Sequence, residues 1–172
     1  LTAALSDRQK SIPTGSFGTT FNDPSARTTD DQMFLELRHR AEIGGGDLRT
    51  SLNYNNYYYH GDFPYSVPLV RLNKDSATGT WWGGETSWNG QVSPAHRVTL
   101  GGEFRQNTDI RQRNYDNALN LDDRRRDHLW GLYVQDEWRL SRDWLLNLGL
   151  RRDALSGKDG KTSPRAALIF RA

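Results

Sequence analysis

Residues 130–151 read WGLYVQDEWRLSRDWLLNLGLR, and this stretch decides the fold class. Apolar side chains recur at every second position on both sides of a polar Ser-Arg-Asp turn at residues 141–143. They are, in order, Trp130, Leu132, Val134, Trp138, Leu140, Trp144, Leu146, Leu148 and Leu150. A period of two is typical of strands with one apolar face. The stretch therefore predicts two antiparallel strands joined by a tight turn.

The same alternation recurs along most of the chain, whereas helical periodicity is weak. Strands are predicted at residues 33–43, 48–59, 81–89, 98–105, 130–140, 144–151 and 165–171. The fold class predicted is all-β, an antiparallel meander of about seven long strands.

Composition excludes two classes of protein. The chain has 172 residues and a mean hydropathy of −0.83, with no uncharged apolar run of the ~18 residues that a transmembrane helix needs. An aromatic content of 11% with a net charge of only +2 excludes a disordered chain. An outer-membrane barrel remains compatible, since only every second residue of its strands faces lipid. The first residues lack the features of a signal peptide, so we expect a cytoplasmic protein or one whose N-terminus is missing.

The connections between the predicted strands alternate between long and short. Polar stretches before residue 32, at 60–80 and at 106–128 read as long loops, and the connections between them are short. In an antiparallel meander this order gathers all long loops at one end, the pattern of an outer-membrane barrel with short periplasmic turns. We therefore predict a long external loop with the tail of a preceding strand at 1–31 and a partial transmembrane β-barrel at 32–172.

Tryptophan positions fit a membrane-spanning strand. Trp130 and Trp138 lie eight positions apart on one face, which corresponds to roughly 20 Å along the membrane normal for a tilted strand. This distance approximates an apolar band with an aromatic residue at each edge. The predicted membrane-interface aromatics are Trp82, Trp88, Trp130, Trp138 and Trp144.

The alternative is a soluble β-sandwich that binds a carbohydrate through exposed Trp and Tyr side chains. Strand length, loop asymmetry and the position of the aromatics favour the barrel. Charges on the other parity, such as Glu36, Arg38, Glu103 and Arg105, are too numerous for a dry core and fit a wide, wet lumen. Asp136 is the exception, because it falls on the apolar parity.

No pattern indicates catalysis. The four His residues lack metal-ligand spacing, and no cofactor or metal site is predicted. The charged run at residues 122–127 favours a solvated loop tip over a nucleic-acid patch. We therefore predict neither an enzyme nor a nucleic-acid partner.

Three segments resemble the barrel of TonB-dependent outer-membrane receptors. LYVQDEWRL at 132–140 is similar to a Gln-Asp-Glu-Trp strand, LNLGLR at 146–151 to an Asn-x-Gly-x-Arg-Tyr strand, and SPRAALIF at 163–170 to a Ser-Pro-Arg strand. Arg152 stands where the family usually has Tyr. WWGGE at 81–85 and VTLGGEFR at 98–105 are similar to earlier strands of these barrels.

The resemblance implies a 22-stranded barrel in the outer membrane of a Gram-negative bacterium. Such receptors import ferric siderophores, cobalamin or other scarce solutes, and a plug domain passes on energy from the TonB complex. No plug, TonB box or closing strand is recognised here, so we expect a barrel segment in contact with outer-membrane lipid that does not transport alone.

Candidate ligand contacts are predicted where strands enter the long loops. Aromatic and Arg side chains there suit an anionic iron chelate or a similar small solute. They are Tyr57, Tyr59, His60, Trp81, Arg105, Arg111 and Arg113.

Overall fold

Period-two segments form strands that pair with their neighbours in chain order, as the computed structural model of residues 1–171 shows. Eight strands form one antiparallel sheet in the order 1 to 8, and it is open at both edges. They are β1 (Thr2–Ser11), β2 (Arg27–Ile43), β3 (Gly46–Tyr65), β4 (Arg71–Gln91), β5 (His96–Tyr115), β6 (Leu119–Arg139), β7 (Trp144–Leu155) and β8 (Lys161–Phe170). A single 3-10 turn, Ser16–Gly18, lies between β1 and β2. Ala172, the last residue of the predicted barrel segment, lies outside the described residues.

The predicted all-β antiparallel meander is confirmed, with eight strands where about seven were predicted. The first, β1, lies in the segment where the tail of a preceding strand was predicted, and it pairs along its whole length with β2 from Glu36 to Arg27. The segment at 1–31 thus consists of β1, a connection at residues 12–26 and the start of β2.

The long loops predicted at 60–80 and 106–128 are wrong. Most of both segments belongs to hydrogen-bonded hairpins, because β3 and β4 pair up to Tyr65 and Arg71, and β5 and β6 pair up to Tyr115 and Leu119. A ladder that extends into water needs no apolar face, since its backbone pairing does not depend on alternating side chains. The alternation therefore disappears from the sequence while the strands continue.

Pro64 lies inside β3, in the stretch at 60–80 that was predicted as a loop. β2 begins at Arg27, which pairs with Asp62, so β3 has a strand neighbour on only one side beyond that point. Proline is compatible with such an edge position because no ladder donor is required of it.

The two sides of the sheet differ sharply in chemistry. We call the side of Leu100, Val134 and Leu150 the apolar face, and the opposite side the polar face. These three side chains are 46–49% exposed, and apart from glycine and proline the buried apolar residues among 1–171 are Ala26 and Phe63. No second sheet covers the apolar face within the described residues. The β-sandwich alternative requires two packed sheets and is wrong.

Within the part of the chain that the structure describes, no helix has the length and apolarity to cross a membrane.

The register is staggered as a barrel requires. Gly46 at the start of β3 stands in one row with Gly90, Val98 and Asp136. At the short-turn end, β3 begins in this row, whereas β6 continues for three more residues, to Arg139. The strand ends therefore shift by one residue at each of the three steps from β3 to β6. With the turns at one level, this shift corresponds to a strand tilt of about 35°, within the range of transmembrane barrels.

Asp136 has a partner that the sequence did not reveal. Its carboxylate lies 2.7 Å from Nδ1 of His96 on the neighbouring strand. The His96 ring stacks on Trp138 with ring centroids 5.3 Å apart. The pair lies near the short-turn end of the apolar face, where a polar group costs less than at its centre. A polar residue on the apolar parity is thus accommodated by a cross-strand hydrogen bond.

The connection at residues 12–26 folds back over the far end of β3. Its Thr20 amide donates to the carbonyl oxygen of Pro64 at 2.8 Å, and Phe17 meets Phe63 edge to face with ring centroids 6.5 Å apart. Phe63 points to the polar face, so this connection covers the polar side of the β3 tip.

Candidate functional site

The candidate site lies on the polar face, beyond the level where the apolar face ends. On the opposite side, the apolar face ends in an aromatic cluster in which Trp82 contacts Phe104 with ring centroids 5.4 Å apart. Trp130 pairs with Phe104, and Tyr54 pairs with Trp82. Beyond these rows the hairpins continue as polar ladders, which positions their polar-face side chains beyond the apolar band, at the end of the sheet opposite the short turns.

Trp81 and Arg105 form a stacked pair on the polar face. The Arg105 guanidinium carbon lies 4.8 Å from the centroid of the Trp81 ring. Arg105 Nε donates to the side-chain oxygen of Asn107 at 2.9 Å, and Asn107 is the register partner of Trp81. Cation–π stacking and the hydrogen bond hold the guanidinium in place, while its remaining N–H donors are available to an acceptor.

Tyr57 belongs to a second group on the polar face. Its hydroxyl donates to Asp30 at 2.7 Å, and Arg8 donates to the other carboxylate oxygen of Asp30 at 2.7 Å. Burial and the Asp30 carboxylate raise the pKa of Tyr57 to about 12. The hydrogen bonds from Arg8 and Tyr57 lower the pKa of Asp30. Tyr59 lies on the same face, and burial raises its pKa as well. Both phenols are therefore neutral donors at physiological pH.

Replacing Asp30 tests this group directly. We expect Asp30→Asn to lower the pKa of Tyr57 from about 12, because the variant lacks the carboxylate that favours the protonated phenol. The pKa should remain above the ordinary value of about 10, since burial persists. Near-ultraviolet absorbance during alkaline titration measures the change. Asp31→Asn, on the other side of the same strand, is the matched control, and an equal shift in both variants would contradict the assignment.

His60, Arg111 and Arg113 lie on the opposite side of the sheet from the other predicted ligand residues. His60 is six residues from Tyr54, so continued alternation places it on the same side as that apolar-face residue. Unbroken alternation along β5 would put Arg111 and Arg113 on the side of Arg105, but Thr108 is an extra residue between Asn107 and Asp109. This β-bulge inverts the alternation of β5, because β4 and β6 have no matching insertion.

Two polar-face contacts that sequence reasoning missed span three strands. Tyr133 on β6 donates to Glu85 on β4 at 2.7 Å, and its ring occupies the space where Gly101 of β5 lacks a side chain. In the same way, Arg151 on β7 contacts Glu103 on β5 across Gly131. The glycines within the period-two segments were the available signal, since a missing side chain permits a close approach.

A pair of amides was also missed. Asn73 and Asn114 exchange side-chain hydrogen bonds of 2.8 and 3.0 Å across β4 and β5 on the polar face. Both residues fall in segments that were predicted as loops, where sequence offers only an Asn-rich composition. The pair adds neutral donors and acceptors to the polar wall near Asp75.

All five tryptophans predicted as membrane-interface residues lie on the apolar face. They are Trp82, Trp88, Trp130, Trp138 and Trp144. Trp88 donates its indole N–H to the carbonyl oxygen of Ile43 at 2.8 Å, beside the short turn between β2 and β3. Trp144 meets Phe170 with ring centroids 4.9 Å apart. Aromatic residues thus lie at both ends of the apolar face.

Among residues 1–171, no group of three or more His, Cys, Asp or Glu side chains could hold a metal ion. Several charges of the polar face are engaged in ion pairs, such as Arg40 with Asp47 at 2.7 Å.

Comparison with known proteins identifies a family. No curated protein and no solved structure matches the chain significantly. The family model described as "TonB dependent receptor-like, beta-barrel" matches residues 2–172. Members of this family are outer-membrane transporters rather than enzymes. The meander, the stagger, the apolar face with aromatic ends and this match agree, and the chain therefore belongs to the TonB-dependent receptors, as part of their β-barrel.

Proposed function

We propose that the chain forms part of the wall and of the outer mouth of a receptor that takes up a scarce solute such as a ferric siderophore or cobalamin. The apolar face contacts outer-membrane lipid, and the polar face lines the lumen. Energy from the TonB complex reaches this barrel through a plug that is not part of this sequence. The two open edges, β1 and β8, pair with further strands of the barrel, because unpaired backbone groups are strongly unfavourable in lipid.

The stacked pair of Trp81 and Arg105 is the observation that carries the ligand proposal. A ring surface beside an oriented guanidinium suits a flat, anionic chelate, since the ring offers apolar contact and the guanidinium pairs with carboxylate or catecholate oxygens. Tyr57 and Tyr59 add neutral hydroxyls on the same face. His60, Arg111 and Arg113 face the other side and are not part of this site.

Neighbouring tryptophans provide the test. Trp81 lies on the polar face and Trp82 on the apolar face, so Trp81→Ala and Trp82→Ala remove the same side chain from opposite sides of β4. The chain is refolded into detergent micelles, and quenching of its fluorescence by a ferric tricatecholate, a ferric trihydroxamate and cyanocobalamin is titrated. We expect one probe to bind and Trp81→Ala to weaken its binding by about tenfold, the scale of one lost stacking contact.

Trp82→Ala should leave the affinity for that probe unchanged. Equal weakening in both variants would show that the loss reflects folding rather than contact. Absence of binding by all three probes, with the β-sheet circular dichroism spectrum intact, would contradict the proposed ligand class.

A further inference from the structure

A cluster of arginines lies on the side of the apolar face, just beyond its aromatic end. We call this cluster the arginine belt, and it consists of Arg111, Arg113, Arg124 and Arg126 with Asp109 and Asp122. The bulge at Thr108 creates it, because the extra residue rotates the following arginines of β5 to this side, opposite those of β6. Without the bulge, Arg111 and Arg113 would face the lumen.

The two carboxylates of the belt are shared among four guanidinium groups. Arg111 contacts Asp122 at 2.7 Å and Arg113 contacts the same carboxylate at 3.5 Å. Arg124 contacts Asp109 at 2.6 Å, and Arg126 also lowers the pKa of that carboxyl group through its charge. Both carboxylates thus stay ionised, and the belt carries two positive charges more than negative ones.

The arginines of the belt remain accessible. The side chains of Arg111, Arg113 and Arg124 are 39%, 41% and 54% exposed, although each has an acidic neighbour. Each guanidinium has five N–H donors, and the acidic neighbours of Arg111 and Arg124 engage only two and one of them, so the other donors can bind a second anion. Arg presents several N–H donors in a planar fork that matches phosphate oxygens.

The position of the arginine belt along the membrane normal indicates which anion it binds. His128 stacks near Phe104 at the end of the apolar face, with ring centroids 6.3 Å apart. Arg126 and Arg124 follow on the same side of β6, about 5 and 10 Å further along the membrane normal for a tilted strand. The headgroup layer of a bilayer extends about 5–8 Å beyond its hydrocarbon. The belt therefore begins within this layer and reaches just above it, within the length of one Arg side chain.

We propose that the arginine belt binds phosphate groups of anionic lipids in the outer leaflet around the barrel. Charge complementarity and height both favour a lipid headgroup, and the belt faces away from the lumen in which a transported solute would bind. The lower part of the same lipid contacts Phe104 and Trp130. This proposal is independent of the solute proposed above, because it concerns the other side of the sheet.

Adjacent arginines on β6 give a matched test. Arg124 belongs to the belt, whereas Arg125 lies on the polar face, where it contacts Asp123 at 2.6 Å. The chain is refolded in nonionic micelles that contain spin-labelled phosphatidic acid or spin-labelled phosphatidylcholine. Quenching of tryptophan fluorescence, to which Trp82 and Trp130 contribute, reports which lipid gathers at the apolar face. Circular dichroism verifies the sheet in every variant.

We expect the native chain to enrich phosphatidic acid over phosphatidylcholine. Arg111→Gln with Arg124→Gln should reduce this preference by roughly 30-fold, the scale of two basic charges at a membrane surface. Arg125→Gln should preserve it, and Arg111→Lys with Arg124→Lys should retain much of it, because the charges remain. Added salt should weaken the preference of the native chain.

Equal preference in the Arg111→Gln/Arg124→Gln and Arg125→Gln variants would overturn the proposal. Displacement of the labelled lipid by millimolar inorganic phosphate would also overturn it, since the belt would then recognise the free anion rather than the lipid. Lack of any lipid preference in a correctly folded native chain would exclude the lipid and favour a protein as the partner of the arginine belt.

Discussion

Val134→Arg is expected to lower the free energy of unfolding of the barrel segment by about 2–4 kcal/mol, the cost of a charge at the lipid-facing centre of a barrel. Val134 is 46% exposed on the apolar face and lies midway between Trp130 and Trp138. The guanidinium group of the new Arg would have to reach out of the lipid, or it would remain in the lipid without hydrogen-bond partners. Denaturant unfolding in detergent micelles, followed by tryptophan fluorescence, measures the loss.

The adjacent residue is the control for this prediction. Gln135 lies on the polar face, where Thr99 and Gly149 are its register partners, so Gln135→Arg should change the free energy of unfolding by less than about 1 kcal/mol. Similar costs at both positions would mean that the apolar face does not contact lipid.

Gly83→Ala is expected to have the next largest effect on the free energy of unfolding. A Cβ atom on Gly83 would lie 2.6 Å from the backbone carbonyl oxygen of Phe104 and 3.3 Å from Cα of Arg105. Because backbone rather than a flexible side chain blocks the space, β5 must move away from β4. We expect Gly83→Ala to lower the free energy of unfolding by about 1–3 kcal/mol, as overpacking typically does. The same shift would displace Arg105 from Trp81, so binding of the solute should weaken too.

Gly149 provides the matched control on the same face. The nearest atoms to a Cβ there are Arg165 Cβ and the Val134 carbonyl oxygen, both at 3.7 Å, which is ordinary van der Waals contact. Gly149→Ala should be neutral or slightly stabilising, because alanine restricts the unfolded chain more than glycine. If Gly83→Ala is equally neutral, the close approach of β4 and β5 at this point is not rigid.

The sequence predicted the membrane-spanning part of each strand well and the extensions poorly. Where one face contacts lipid and the other water, every second residue is constrained, so Leu100, Val134 and Leu150 reveal their side by parity alone. Beyond the aromatic rows neither side contacts hydrocarbon, and polar residues such as Asn73 and Asn114 fit a ladder as well as a loop. Composition there indicated loops, whereas backbone pairing with the neighbouring strand decided the structure.

The candidate site shows the same division. Unbroken alternation from the apolar band explains why Trp81 and Arg105 lie on the polar face. Arg111 and Arg113 fall in a stretch that was predicted as a loop, so the sequence assigned them no side, and the extra residue Thr108 puts them on the opposite side.

By itself, the sequence determined the fold class, the chemistry of the two faces and the position of the tryptophans, because alternation is a local property of an extended chain. Only the tertiary structure decided the length of the hairpins, the partner of Asp136 and the side on which the arginine belt lies. A bulge is defined by a mismatch between neighbouring strands, here Thr108 and Asp109 of β5 against Thr80 of β4 and Arg126 of β6. One strand cannot encode it without the other two.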